Sequence, residues 1–201
     1  MGSDMPRFYT PVQVREIALS NRRFAVTANA KQALDESVKT RFPSDYQTFD
    51  IFLSYRNADI ELAVGIHTDL LRRGYEVYLD RIMDPHLNRT NVTAATAEQI
   101  RKRLMQSKSV FYIATDNAEG SNWMPWELGF EDGYRGKSAI VPVTNDWNFT
   151  GTEFVRVYSR VQPDPDKLWI YTPDNRVDAS FDTWRDRVPE RQCGMPKCPI
   201  K

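Results

Sequence analysis

With 201 residues, the chain can form one domain with a sizeable core, or a domain with an extension. Lys and Arg total 27 and Asp and Glu total 27, so no net field points to nucleic acid or an anionic membrane. The apolar runs are too short to span a membrane and the opening MGSDMPRFYT has no signal-peptide core, so a cytoplasmic protein is expected.

The first elements are helical. YTPVQVREIALSNRRFAVTANAKQALDESVKTRF reads as one or two helices. Thr10 and Gln13 fit a capping box, and Pro11 fits the first helical position. Val14, Ile17, Phe24, Leu34 and Val38 supply an interrupted apolar face, and Pro43 ends the segment. Residues 1–47 are therefore expected to be a helical extension packed on the domain.

The pattern then alternates. FDIFLSY, from Phe49 to Tyr55, has strand length. ADIELAVGIHTDLLRRG follows as a helix capped by Asp59 or Asn57 and stopped by Gly74. YEVYLD is a second strand, followed by a long polar loop from Asp80 to about Thr93. NVTAATAEQIRKRLMQS is a helix and KSVFYIAT a third strand. SNWMPWELGFEDGYRGK starts a helix at Ser121 or Asn122, accommodates Pro125 in the first turn, and ends at Gly133 or Gly136. KSAIVPVT is a fourth strand, EFVRVYSRV a helical piece, DKLWIYT a fifth strand and SFDTWRDRV a short helix. Strands alternating with helices predict a parallel sheet covered on both faces, and continuous apolar strands require that two-sided burial. Residues 191–201 form a tail.

In such a sheet, ligands bind beyond the carboxyl ends of the strands. The loop after the first strand offers Ser54, Arg56 and Asn57, and the loop after the third leads to Trp123 and Glu127. Trp123 and Glu127, four apart, share a helix face, and Glu131 extends that line by a turn. The plain alternative puts Trp126, Phe130 and Tyr134 in the core and the carboxylates in water. Neither a dinucleotide or phosphate loop nor a G-x-S-x-G elbow is present. His67, mid-helix, reads as structural or solvated, and His86, in the second loop, as solvated. Cys193 and Cys198 form a lone C-x4-C, read as a reduced tail, and no metal site is expected. The sequons at Asn88, Asn91 and Asn148 carry no meaning without secretion. A carboxylate exposed at a helix start, beside an aromatic ring, is the remaining chemistry.

Taken in order, these motifs resemble a Toll/interleukin-1 receptor (TIR) domain over residues 48–190. FDIFLSYRNAD is similar to the family's first strand and loop, and YEVYLD with its long loop to the second strand and BB loop. SVFYIATDNAEGSNWMPWELG resembles the third strand and the S-x-W-x-x-x-E helix start, and AIVPV the fourth strand. The resemblance implies a flavodoxin-like α/β fold, a five-stranded parallel sheet of order 2-1-3-4-5 with helices on both faces. The N-terminal extension lies outside the shared pattern.

Bacterial and plant members cleave NAD+ at the nicotinamide–ribose bond, and other members are non-catalytic interaction modules. The first implies Glu127 as the catalytic residue, Trp123 as its aromatic neighbour, Ser54, Tyr55 and Arg56 as dinucleotide contacts, and Asp80 at the mouth of the BB loop. It also implies NAD+ as substrate with no separate cofactor, and TIR–TIR self-association. The bacterial type, as in Thoeris antiphage defence, makes a cyclic or modified ADP-ribose that diffuses to an effector protein. Physical chemistry supports that role for Glu127. Loss of nicotinamide leaves positive charge on the ribose, and a carboxylate placed there stabilises the transition state more than the ground state.

Overall fold

Three short apolar runs build the centre of the molecule. The computed structural model describes residues 8–20, 43–87, 93–115, 121, 123–146 and 153–188. Strand β1 (Ile51–Ser54) is buried throughout, followed by a 3-10 turn (Asn57–Asp59) and helix α2 (Ile60–Arg72). Helix α1 (Pro11–Ser20) precedes them. β2 (Val77–Tyr78) leads into the single turn α3 (Asp80–Met83), then α4 (Ala94–Gln106). β3 (Val110–Ala114), α5 (Trp123–Tyr134) and β4 (Ser138–Pro142) complete the central unit.

The helix ends follow from local chemistry. Thr93 Oγ1 accepts the Thr96 N–H at the start of α4. Gly74, at φ 89°, lets α2 close with Gly74 N–H to the Leu71 carbonyl and Tyr75 N–H to the Leu70 carbonyl. Ser121 Oγ accepts the Met124 N–H and caps α5. Gly136, at φ 67°, turns the chain away after Tyr134.

β1 to β5 are parallel in the order 2-1-3-4-5, but the fifth member is not the expected segment. β5 is Ser159–Pro163, inside the stretch read as helical, where only Val155–Val157 form a 3-10 turn. The apolar spacing of Phe154, Val155, Val157 and Val161 mimics a helix face, but Val161 instead packs against the sheet core. The DKLWIYT segment forms β6 (Leu168–Tyr171), antiparallel to β5, and β7 (Val177–Ser180) pairs with β6 before helix α6 (Phe181–Asp186). The sheet therefore has seven strands and is mixed.

Side chains alternate across it. Ile51, Leu53, Phe111, Ile113, Ala139 and Val141 join α1, α2 and α6 on one face. Phe52, Tyr78 and Val110 meet α4 on the other, where Tyr112 and Ile140 meet Met124 and Leu128 of α5.

The described part of the N-terminal segment is tied to this frame at Tyr9 and Val14. Tyr9 forms a parallel bridge to Val143, and its hydroxyl donates to Asp69 at 2.6 Å. Fully buried Val14 seats α1 on α2 at Gly65, where an added Cβ would lie 2.1 Å from the Val14 carbonyl oxygen. Phe24, Leu34, Val38, Asn122, Cys193, Cys198 and the three sequons lie outside the described residues, as does Arg89 of the second loop. No helix among the described residues is long and apolar enough to cross a membrane.

Candidate active site

β1 and β3 end side by side, with Ser54 paired to Tyr112. Paired residues project to the same face, and here that face meets α5. Ser54 Oγ donates to Glu127 Oε2 at 2.5 Å, so the last residue of β1 holds the carboxylate of the fifth residue of α5. Tyr112 stands in the next strand. Burial pushes its phenol above the ordinary range, and the Glu127 charge raises it further.

Glu127 is fully buried, as is Glu131. An exposed carboxylate at the helix start is therefore not what the chain builds. The plain alternative holds only in part: Trp126 and Phe130 are half-buried against the Phe49, Phe52 and Tyr78 cluster, but Tyr134 is exposed and both carboxylates are buried. The rings form a ladder along α5. Trp123 meets Trp126 edge-on at 5.7 Å, Trp126 stacks on Phe130 at 5.8 Å, and Phe130 lies 5.8 Å from Tyr134. Arg101 lies over Trp126 within the ladder, and Arg135 over Tyr134 at its end.

The other sequence-derived candidates divide. Trp123 is half-buried and packs against the cluster of Phe49, Phe52 and Tyr78, one helical turn before Glu127. Arg56 is half-buried directly after β1, and Asp80 is buried directly after β2. Both stand just after strands at the carboxyl edge of the sheet. Tyr55 belongs to the core on the opposite face, with Leu53 and Leu62, and is not brought to Glu127.

Sequence reading missed the groups that fix the loops. Thr115 Oγ1 donates to buried Asp59 at 2.8 Å, joining the loop after β1 to the end of β3. Asp84 accepts from Arg103 Nε at 2.7 Å, Arg103 Nη2 at 3.1 Å and the Tyr78 hydroxyl at 2.8 Å. Burial pushes the Asp84 carboxyl up, but these hydrogen bonds outweigh it and hold it below its ordinary range. The start of the second loop is thus clamped to α4. Only the spacing of an acid after YEVYLD and a lone arginine on the apolar face of α4 hinted at this.

A cleft of about 700 Å³ lies elsewhere, between Tyr9, Gln13, Arg73, Thr144 and Pro163. It opens on the α1 side of the sheet, whereas Glu127 faces the other side. Its central polar groups satisfy one another: Asp69 accepts from Tyr9 and from Arg73, and Arg73 also donates to the Asp164 carbonyl. Its size alone does not make it the reactive site. Among the described residues, no group of three or more His, Cys, Asp and Glu is arranged to hold a metal ion.

The fold and this geometry define a doubly wound α/β domain with a hydroxyl-held carboxylate at the carboxyl edge of its sheet. The chain belongs to the TIR domain family, whose model matches residues 51–168. It is 32% identical over 170 residues to a Bacillus cereus (strain MSX-D12) protein named "Probable 3' cyclic ADP-D-ribose synthase ThsB'", covering 80% of this chain and 86% of that protein. A Cytobacillus dafuensis protein named "Putative cyclic ADP-D-ribose synthase TIR2" is 28% identical over 85 residues, 42% of this chain and 22% of that protein.

Proposed function

We propose that this protein is a TIR enzyme that cleaves NAD+ at the nicotinamide–ribose bond and makes a cyclic ADP-ribose signal in bacterial antiphage defence. The observation that carries this reading is the Ser54–Glu127 hydrogen bond at the carboxyl edge of the sheet, with the printed names of the relatives supporting the product class. In the reaction, the C1′–N bond breaks and its electron pair leaves with nicotinamide, neutralising the pyridinium charge. Nicotinamide therefore needs no acid to expel it, and the step needs no metal or further cofactor. Glu127 faces the cationic ribose, which has oxocarbenium character. Ser54 orients the carboxylate, and Trp123 supplies a flat wall for a base or ring. Arg56 pairs with pyrophosphate oxygens, and Asp80 borders the same edge. Attack by an atom of the same molecule closes a ring, whereas attack by water gives linear ADP-ribose, so exclusion of water sets the product.

The test is incubation of the purified protein with NAD+ and chromatography of nicotinamide and nucleotide products. Glu127→Gln should lower nicotinamide release by about 10²-fold or more with the fold retained. Near-wild-type turnover of that variant would remove Glu127 from the role.

One observation favours a second reading, a non-catalytic interaction module: Glu127 is fully enclosed in the single chain. The two readings part on the wild-type protein. Nicotinamide release that appears on self-association supports an enzyme whose site opens between copies, and none at any concentration supports the module.

A further inference from the structure

Glu131 is as deeply buried as Glu127 and lies one turn further along the same face of α5. Its Oε2 accepts from Arg135 Nη1 at 3.1 Å, while its Oε1 has no hydrogen-bond partner among the described residues. Arg135 is shared. The same Nη1 donates to the Leu104 carbonyl at 3.2 Å and Nη2 to the Met105 carbonyl at 2.7 Å, so the guanidinium also binds the last turn of α4. A cation there is favoured by the α4 dipole. Arg135 is therefore the joint between the carboxylate helix and its neighbour, and Glu131 is the joint's counter-charge.

We propose that Glu131 is a positioning residue for Glu127, whose protonation state sets how firmly Arg135 locks α5 to the end of α4. This rests on the enzymatic reading of Glu127. With Glu131 ionised, the guanidinium is held between a carboxylate and two carbonyls. With Glu131 protonated, the ion pair is gone, Arg135 leans on the α4 carbonyls alone, and the α5 half of the joint loosens. The charged groups facing Glu131 are Arg135 and Asp132 from its own helix and Lys137 from the turn into β4, while α4 presents the two carbonyls. Burial pushes the Glu131 carboxyl up to about 7, and Arg135 only partly opposes this. The joint thus changes state near neutrality. Because Glu127 and Glu131 share a rigid helical turn, a small displacement of α5 changes the Ser54–Glu127 contact, and misplacement of a reacting group costs rate rather than affinity.

Two measurements test this. In the first, the pH profile of wild-type kcat should rise through a midpoint near 7, and Glu131→Gln should lose that inflection. The variant should also lose about tenfold in kcat above neutrality with KM unchanged. A Glu131→Gln profile and kcat matching wild type would overturn the proposal. In the second, a carboxyl NMR titration of the wild-type protein should show Glu131 changing charge near pH 7, with the Ser54 and Glu127 signals shifting at the same midpoint. A midpoint below about 5, the ordinary carboxylate range, or Ser54 and Glu127 signals that ignore the Glu131 titration, would overturn it. The NMR measurement needs no turnover and no variant, so it decides this proposal even if the enzymatic reading fails.

Discussion

Glu131 and His67 are both buried, and each carries a penalty for charge that pH can read. Burial holds the His67 imidazole down to about 4, opposed by a hydrogen bond with the Val77 backbone. His67 is therefore a neutral structural residue. Its stability contribution is full above pH about 6.5 and lost as pH falls toward 4. Glu131 works in the opposite sense. Its native carboxyl keeps its proton up to about 7 against an ordinary value of 4.5, so the native state binds more protons than the unfolded chain between those values. Stability from Glu131 is thus full below about 4.5 and lost as pH rises to about 7, a difference of about 3 kcal/mol. The two slopes oppose each other between about 4.5 and 6.5. Glu131→Gln, which cannot charge, should be more stable than wild type at pH 8 and gain little at pH 5. Urea unfolding at the two pH values measures this. Asp84 presents the contrasting case, a buried carboxylate with its cation in place. Asp84→Ala strands Arg103 and should cost about 3–5 kcal/mol, read as a lower urea midpoint. None of these burials was legible in the sequence, because a Glu in WELGFED carries the same local signature whether it faces the sheet or water. The placement of Glu127 near the carboxyl edge was legible, since it needs only strand order and helix phase.

At the level of elements, the central strands were legible because IFLS, VFYIA and SAIVP must be buried on both faces. The helices between them were legible from their length and from the cap or glycine at an end of each. β5 was not. Its residues Ser159, Arg160 and Gln162 are polar and Val161 is the one aliphatic side chain before Pro163, so the strand carries no run of apolar residues. The contact of α1 with α2 was foreseen only as packing; its closeness comes from a glycine whose partner lies far away in sequence. Gly65→Ala should force α1 away from α2 and cost about 1–3 kcal/mol, the range for overpacking. Faster hydrogen exchange in residues 11–20, with the sheet protected as before, would locate the damage there. Unchanged exchange in α1 would mean that the helices slide past the added methyl.

For the whole molecule, the question is how a fully enclosed carboxylate meets a dinucleotide. The clamp from Asp84 to Arg103 fixes the beginning of the second loop, and the Thr115–Asp59 bond fixes the first. A neighbouring copy that reorders these loops would act where the energy of opening is concentrated. Specific activity is therefore expected to rise with protein concentration over a hundredfold range while sedimentation shows larger species. Constant activity per subunit from a strictly monomeric protein would place the complete site within one chain.

The Tyr9–Val143 bridge also has a bearing on synthesis. Tyr9 is translated ahead of the sheet, but Val143, which it bridges, emerges only after β1 to β4. At about 5–20 residues per second, that wait is on the order of ten seconds. During it Val14 can already rest on Gly65 of α2, while Tyr9 still waits for its strand partner. The Tyr9 bridge can therefore close only once β4 has joined the sheet.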